Sequence, residues 1–470
     1  MNAKILLLPA GLAVFLAGCS LAPNYTRPEA PVPADWPKGP AYRDIVTAPG
    51  APAAADLGWR DFFPDRKLQE IIEMALNNNR DLKLAALNVE RARGLYGIGR
   101  GELFPTFEAV GSGRKQRVPA STFGGSGGAI TTTRYDVNLS VPSWEIDFFG
   151  RIRSLEDQAL EEYLATEQAR RSARILVVSD VANAYLVLAA DRENLRLSES
   201  TLETQQATYD LVRRRYQLGL VSELDLRRAQ ISVDQARADV ARFMQLVAQG
   251  ENALDLLSGA KVPSDLLPEG LESVLPPREI SAGLPSEVLL RRPDILAAEH
   301  RLKGTYADIG AARAAFFPRI SLTAAFGTAS GELSGLFGAG SDAWTFAPEA
   351  VLPIFDARTW PALAVSRVDR EIAVAQYQRA IQSAFREVAD ALAVRGTVNR
   401  QIAAQQSLVD ANERTYRLST VRFEKGIDDS LGVHDAQRSL YAAQRALIEV
   451  RLAGIANQVR LYAALGGGGE

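Results

Sequence analysis

Cysteine and histidine are scarce in this chain. Its 470 residues include one Cys, three Met and two His, which are His300 and His434. A single cysteine excludes an intrachain disulfide framework, and so few thiol and imidazole groups exclude zinc ribbons and most histidine-based catalysis. The P-loop, HExxH and calcium-loop motifs are missing as well. We therefore expect no enzyme activity, no catalytic residues, no metal ligands and no cofactor.

An excess of positive charge is also missing. The chain has 53 Lys and Arg against 56 Asp and Glu, which gives a formal net charge of −3. Proteins that bind nucleic acid through bulk positive charge are strongly basic, so we expect no nucleic-acid partner. Hydrophobic residues make up 47% and charged residues 23% of the chain, a composition that supplies a large core and excludes global disorder.

Proline is absent from 143–262 and from 362–470, although the chain contains 23 prolines. Within these stretches, 151–218 lacks glycine as well, and 362–425 contains only Gly396. Such uninterrupted segments predict helices of roughly 100 Å at 1.5 Å per residue. Helices of this length are typical of coiled coils.

Each long helix is followed by a glycine turn. Gly219 ends the first and Gly426 ends the second. Beyond the turns, 222–258 and 429–465 predict shorter helices that return antiparallel to the long ones.

The N-terminus has the pattern of a secretion signal. The segment 1–4 is short and basic. The segment 5–17 is largely apolar, but it has too few residues to cross a membrane as a helix. The sequence Leu16-Ala17-Gly18-Cys19 resembles the lipobox of bacterial lipoproteins. This resemblance implies that 1–18 is a signal peptide and that Cys19 carries N-palmitoyl and S-diacylglycerol groups, which insert into outer-membrane lipid.

Prolines are dense after this signal. Eight of them fall between residues 23 and 52, which predicts an extended, polyproline-like tether over 19–60. No later stretch offers 18 consecutive apolar residues. Any membrane crossing by this chain is therefore expected to use strands.

The remaining chain contains one pattern twice. At an offset of 213, the first set of matches is Asp81, Gly97, Arg100, Phe104 and Pro105 with Asp294, Gly310, Arg313, Phe317 and Pro318. At an offset of 207, the second set is Phe148, Arg151, Arg215 and Gly219 with Phe355, Arg358, Arg422 and Gly426. A fixed register of this kind indicates a duplication. We expect a first repeat at 61–260, a linker at 261–285, a second repeat at 286–465 and a Gly-rich tail at 466–470.

Each repeat is expected to hold a first helix, two strands, a long helix and a return helix. The first helices are predicted over 66–101 and 286–315. Apolar and polar residues alternate with a period of two in 135–141 and 320–327, as in strands. The phase changes at Pro142, which predicts a β-bulge or a strand end.

Four strands are too few for a membrane barrel, since the smallest known barrels have about eight. Two chains would supply about 8 strands and three chains about 12, the range in which membrane barrels occur. An open sheet edge in lipid would expose unpaired backbone groups, so we expect closure between subunits.

Several collinear motifs run through the chain. They are the lipobox, PNYTRP at 23–28, GWRDFF at 58–63, NRDL at 79–82, RRPDI at 291–295 and AARAAFFP at 311–318. Together they resemble the outer membrane factor (TolC-like) family, and most closely its OprM-type lipoprotein branch. The resemblance implies a mainly α fold with a transmembrane β part. In such a homotrimer, four strands per chain form a 12-stranded β-barrel that continues into an α-barrel of long antiparallel coiled coils.

The same resemblance implies a function. Proteins of this family form the outer-membrane exit duct of tripartite efflux pumps and extend into the periplasm. Their partners are a periplasmic adaptor (membrane fusion protein) and an inner-membrane resistance-nodulation-division transporter, and their cargo is drugs, solvents or other toxic small molecules. A duct for type I protein secretion, or a lipid-anchored coiled-coil scaffold, remains an alternative.

Both helical turns carry an aromatic residue three positions before the glycine and a serine after it. Glycine permits the positive φ of a chain reversal, and serine can cap the returning helix. The family resemblance implies that these turns meet the adaptor. The docking residues are then Tyr216, Gly219, Ser222, Phe423, Gly426 and Ser430.

The start of the last helix supplies a candidate gate. Leu431, Asp435 and Arg438 lie at i, i+4 and i+7, so they share one helix face. In OprM-like channels, residues at these positions line the closed periplasmic aperture, and threefold symmetry would gather three copies of each. His434 lies next to this face, and whether it tunes the gate with pH is open at this point.

Overall fold

The computed structural model describes residues 20–43, 52–119, 128–281 and 286–468. Cys19, the predicted acylation site, lies outside the described residues. We number the α-helices and β-strands in chain order. They are α1 (Trp59–Phe62), α2 (Arg66–Asn78), α3 (Arg80–Gly101), β1 (Glu108–Val118), β2 (Ile130–Glu145), α4 (Arg151–Gln217), α5 (Glu223–Ser258), α6 (Pro293–Ala314), β3 (Arg319–Ser330), β4 (Asp342–Val351), α7 (Thr359–Glu424) and α8 (Ser430–Ala464).

The chain divides into two compact units, each assembled from separate stretches. The first unit combines Met1–Glu29, Val89–Thr166 and Ala298–Tyr377. The second combines Ala30–Asn88, Glu167–Ala297 and Gln378–Glu470. All four strands belong to the first unit, and the glycine turns and return helices belong to the second.

The first unit contains a four-stranded antiparallel sheet in the order β1-β2-β3-β4. The pairing of β2 with β3 shifts between Val141 and Trp144, so the bulge predicted at Pro142 is confirmed. Proline lacks the N–H group that a ladder hydrogen bond needs, which explains the interruption at this position. Beyond the bulge, Trp144 pairs with Leu322, which restores the apolar face.

One face of this sheet carries large exposed apolar side chains. Leu139 pairs with Phe326, and Phe326 pairs with Trp344, so the three side chains form a row across β2, β3 and β4. They are 56%, 70% and 75% exposed. Soluble proteins rarely expose apolar rows of this kind, which mark contact with a partner or with lipid.

The first helix of each repeat differs from the expected one. The helix predicted over 66–101 is interrupted at Asn79, which is buried. The Asn79 side chain accepts a hydrogen bond from the Leu82 amide at 3.0 Å and donates one to the Leu257 carbonyl at 2.8 Å. Asparagine therefore begins a new helix by capping it, and the prediction of one continuous helix was wrong.

In the second repeat, the stretch 286–291 forms a 3-10 helix rather than the start of the α-helix. The α-helix α6 begins at Pro293. Proline is favoured at the first position of a helix, because its missing N–H would have no partner there. The prediction of an α-helix from residue 286 was therefore wrong by about two turns.

The two long helices α4 and α7 contain 67 and 66 residues. Their bounds lie close to those predicted from the absence of proline and glycine. Within α4, a window of 18 residues is apolar enough to cross a membrane, but 56% of it is buried inside the chain. A core helix meets the same criteria, so this window is only weak evidence for a membrane span.

An aromatic cluster forms part of the core of the second unit. The rings of Phe62 and Tyr462 stack with centroids 3.9 Å apart, and both residues are buried. The Tyr462 hydroxyl donates a hydrogen bond of 2.6 Å to the Leu57 carbonyl. This contact joins the short helix α1 to the end of α8.

The proline-rich segment packs against the long helix α7. The Trp36 ring stacks on Phe385 at a centroid distance of 5.0 Å. Gly396 lies opposite Ala41, where an added Cβ atom would overlap the Ala41 carbonyl oxygen. The one glycine within 362–425 is therefore explained by a close approach of two backbones.

Candidate functional site

The first glycine turn joins α4 to α5 in the second unit. Gly219 has φ of +70°, the left-handed region that side chains with a Cβ atom rarely adopt. Its amide donates to the Tyr216 carbonyl at 2.9 Å, and the Leu220 amide donates to the Arg215 carbonyl at 2.9 Å. These two bonds form a Schellman motif, which ends a helix by satisfying its last carbonyl groups.

The second turn repeats this geometry between α7 and α8. Gly426 also has φ of +70°. Its amide donates to the Phe423 carbonyl at 3.0 Å, and the Ile427 amide donates to the Arg422 carbonyl at 2.9 Å. Both turns therefore reverse the chain by the same backbone mechanism.

The returning helices are capped by different residue types. Ser222 caps α5, and its side chain and that of Asp225 form a reciprocal capping box. Hydrogen bonds from Ser222 lower the pKa of Asp225. In the second turn, Asp429 caps α8 by accepting a bond from the Leu431 amide at 3.1 Å, and Ser430 is already helical.

The expectation that Ser430 caps the second return helix was therefore wrong. Asp429 lies 207 residues after Ser222, the repeat offset that also relates Gly219 to Gly426. Aspartate and serine are about equally good caps, so the repeat register already pointed to Asp429. The mismatch in glycine-to-serine spacing between the two turns was the signal that sequence reasoning missed.

The two turns contact each other. The Arg215 guanidinium lies 5.4 Å from the centroid of the Phe423 ring, within the range of a cation–π contact. A long hydrogen bond of 3.5 Å joins the Ser430 hydroxyl to the Asp225 carboxylate. The predicted docking residues therefore belong to one surface. Large apolar side chains exposed around it include Leu218, Leu220, Leu224 and Ile427.

The predicted gate residues lie on one face of the first two turns of α8. Asp435 and Arg438 form an ion pair, and both side chains are more than half exposed. Leu431 is 38% exposed. The three side chains therefore form a charged and apolar strip that the chain itself leaves open.

His434 faces the interior instead of this strip. It is 5% exposed, and neither ring nitrogen has a hydrogen-bond partner among the described residues. Burial lowers the pKa of His434, and the nearby Arg438 lowers it further. His434 is therefore neutral at physiological pH.

Lower on α8, a polar contact ties this helix to α4. The hydroxyls of Ser198 and Tyr441 are 2.8 Å apart, and Ser198 is fully buried. Sequence reasoning missed this pair, because 243 residues separate the two side chains. No motif in the sequence relates them.

The N-terminal segment after the predicted acylation site is held by a buried carboxylate in the first unit. Glu299 of α6 is 3% exposed. Arg27 donates to both of its oxygens, at 3.0 and 2.8 Å, and the Tyr25 hydroxyl donates at 3.1 Å. Lys303 lies 3.5 Å from the same carboxylate. We call this set of four residues the N-terminal clamp.

The N-terminal clamp keeps Glu299 ionised. Burial alone would raise the pKa of Glu299, but the hydrogen bonds from Arg27 and the charge of Lys303 outweigh burial and lower it. Sequence reasoning missed the N-terminal clamp as well, although Tyr25 and Arg27 lie in one of the motifs that carry the family resemblance.

Within 20–43, 52–119, 128–281 and 286–468, no three His, Asp or Glu side chains are placed to hold a metal ion. The described residues instead form a sheet with an exposed apolar face, two helical hairpins and a charged strip beside their turns. Such exposed surfaces mark contact with lipid or with other chains.

Comparison with known proteins identifies the family. The family model described as "Outer membrane efflux protein" matches residues 71–260 and 284–467. The toluene efflux pump outer membrane protein TtgC of Pseudomonas putida is 48% identical over 466 residues, which cover 99% of this chain and 96% of that protein. Outer membrane protein OprJ of Pseudomonas aeruginosa is 42% identical over 460 residues, 97% of this chain and 94% of OprJ.

A solved channel has the same fold. The open state of the Neisseria gonorrhoeae MtrE outer membrane channel superposes with a TM-score of 0.85 at 36% identity, covering 96% of this chain and 98% of MtrE. This chain belongs to the outer membrane efflux protein family. It is the outer-membrane channel component of an efflux pump and has the fold of the trimeric, TolC-like channels. Of the functions that the sequence left open, the efflux channel is confirmed.

Proposed function

We propose that this chain forms a homotrimeric exit duct for small apolar toxic molecules, such as solvents and antibiotics. The cargo is inferred from relatives named for toluene efflux and for antibiotic efflux. The observation that supports the trimer is the sheet, whose end strands β1 and β4 each pair with one neighbour among the described strands. Three copies would supply about 12 strands and close those edges within lipid.

Complementation tests the cargo. A Pseudomonas putida strain that lacks TtgC is expected to regain survival under toluene when it expresses this chain. If the chain is expressed at normal level and restores antibiotic resistance but not survival under toluene, the cargo is restricted to antibiotics. Failure of both would refute the proposed cargo.

The pump partners follow from the same role. A periplasmic adaptor would dock on the surface formed by the two glycine turns, and a resistance-nodulation-division transporter would supply the cargo from the inner membrane. The exposed leucines and isoleucine at the turns suit contact with an apolar helical hairpin. Acylation of Cys19 would add a lipid anchor to the strands that cross the membrane.

The gate is proposed for Leu431, Asp435 and Arg438. The observation that carries it is the ion pair between Asp435 and Arg438 on a strip that the chain leaves exposed. In a trimer, three such pairs around the axis would narrow the pore and present charge to passing molecules. A channel closed in this way would conduct ions poorly until the N-terminal ends of the three α8 helices move apart.

Single-channel conductance in a planar bilayer tests this gate. The double variant Asp435→Ala with Arg438→Ala is expected to raise conductance and to admit large antibiotics into the cell. The matched control removes another exposed i,i+3 ion pair, Asp234–Arg237 on α5, whose atoms are 3.3 Å apart. Unchanged conductance in the gate variant at normal trimer level, or an equal rise in the control, would refute the gate.

A further inference from the structure

A cavity of about 260 Å³ lies beside the proposed gate strip, between α4, α5 and α8, and Leu431 and Arg438 of the strip help to line it. Its apolar wall comes from α5 and the start of α8, and its polar wall comes from α4 and α8. The side chains that matter here are Gln205, Ile231, Ala236, Leu431 and His434. None of them takes part in the ion pair of the proposed gate.

Two buried polar side chains in this cavity lack partners. His434 and Gln205 are 5% and 4% exposed. Both ring nitrogens of His434 lack a hydrogen-bond partner among the described residues, and so does the Oε1 atom of Gln205. Buried polar groups in native proteins are nearly always hydrogen-bonded, so this wall is equipped to bind a polar group that enters the cavity.

The two arginines that line the cavity each lie near a carboxylate. Arg438 pairs with Asp435. Arg228 faces Asp225, and its charge helps to lower the pKa of that carboxyl after the hydrogen bonds from Ser222. Asp239 is the carboxylate among the residues that line the cavity, and it is 8% exposed.

His434 itself adds no charge. Its pKa is lowered mainly by burial and then by Arg438, so the ring is neutral and offers one donor and one acceptor. Gln205 adds a further acceptor. The free hydrogen-bonding capacity of His434 and Gln205 is therefore neutral, and it suits a group that both donates and accepts.

We propose that this cavity binds a small, neutral, single-ring aromatic molecule that carries a hydroxyl group. The ring would pack against Ile231, Ala236 and Leu431, and the hydroxyl would bond to His434 and Gln205. A cavity of about 150 Å³ lined by apolar side chains already accommodates benzene, so the larger volume here leaves room for a ring substituent. An apolar pocket with a few convergent polar atoms is the usual form of a small-molecule site.

Two probes of nearly equal size test the site. The full-length protein, purified in detergent, is crystallised with 4-bromophenol or with 4-bromotoluene, and bromine is located by its anomalous signal. We expect bromine in the cavity with the phenol hydroxyl directed at His434. In calorimetry, 4-bromotoluene should bind about fivefold to tenfold more weakly, because it lacks one neutral hydrogen-bonding group.

Variants separate the apolar wall from the polar wall. Ala236→Phe should fill the cavity and abolish binding of both probes, whereas Ala241→Phe on the exposed side of α5 should leave binding unchanged. His434→Leu should reduce the affinity for 4-bromophenol towards that for 4-bromotoluene, with the Gln205 bond retained, and this readout remains if Ala236→Phe does not fold.

Three outcomes would overturn the proposal. They are bromine found only outside the cavity, equal affinities for the two probes, and a side chain of a neighbouring subunit seated in the cavity of the trimer. Probe binding is measured without reference to conductance. Failure of the gate experiment therefore leaves this site untouched, and failure of binding leaves the gate untouched.

Discussion

The N-terminal clamp makes a prediction that can be quantified. In Glu299→Gln, the side chain keeps its shape but loses its charge and one acceptor oxygen. An amide N–H group would then face the Arg27 guanidinium, which has only donors. We expect the segment around Tyr25 and Arg27 to detach from α6 more often, while the rest of the fold stays intact.

The magnitude follows from the contacts. A hydrogen bond to a charged group contributes about 1.5–3 kcal/mol, and Arg27 makes two good ones to Glu299. The Arg27 side chain is 50% exposed, so water screens much of this interaction. We take about 2 kcal/mol for the substitution, which increases the detached population roughly 30-fold.

Chymotrypsin cleavage after Tyr25, followed by intact-mass spectrometry, measures this population. When opening and closing are fast, the cleavage rate follows the equilibrium population of the detached state. The matched control is Glu162→Gln, which removes an exposed ion pair to Arg301 in the same unit. Exposed pairs contribute at most about 1 kcal/mol, so the control rate should rise by less than about fivefold.

Acid provides a second arm for the same test. The folded pKa of Glu299 is lowered, so the stabilisation from its charge is fully present above the unfolded value of about 4.5. It is lost as the pH falls through the folded pKa. Pepsin cleavage near Tyr25 should therefore rise steeply below about pH 4 in the native chain and change little in Glu299→Gln. Equal cleavage of Glu299→Gln and Glu162→Gln would refute the reasoning.

Three further predictions concern the anchor, the turns and the contact of the proline-rich segment with α7. Cys19→Ser should abolish metabolic labelling with palmitate while barrels still form, and label retained in this variant would contradict acylation at Cys19. Gly219→Val and Gly426→Val each place a β-branched residue at a φ of +70°, and each should abolish efflux while trimers still assemble. Failure of trimer assembly in these variants would show that the glycines are purely structural. Gly396→Ala should increase proteolysis of the proline-rich segment, even though alanine favours a helix by about 1 kcal/mol. Gly94→Ala, which has open space around it, should not increase proteolysis. Equal proteolysis of the two variants would contradict the close approach of Gly396 to Ala41.

Features set by local chemistry could be read from the sequence. The absence of proline and glycine over 151–218 predicted α4, because only these residues strongly oppose a helix. Glycine at 219 and 426 predicted the chain reversals, since each turn needs a positive φ. Proline at 142 predicted the bulge, because it cannot donate to the sheet. The repeat offset of 207 also relates Ser222 to Asp429, the cap of α8, but a search for serine in both turns overlooked it.

Features that depend on partners far along the chain were decided by the tertiary structure alone. Asn79 ended one helix and began another because its amide also reaches the Leu257 carbonyl. Glu299 became a buried anion because Arg27, 272 residues away, comes to meet it. His434 and Asp435 are neighbours in sequence, yet one is buried beside a cavity and the other is exposed in an ion pair. A helix turns each successive side chain by about 100°, so the packing of the neighbouring helices decides which of two adjacent residues faces the interior.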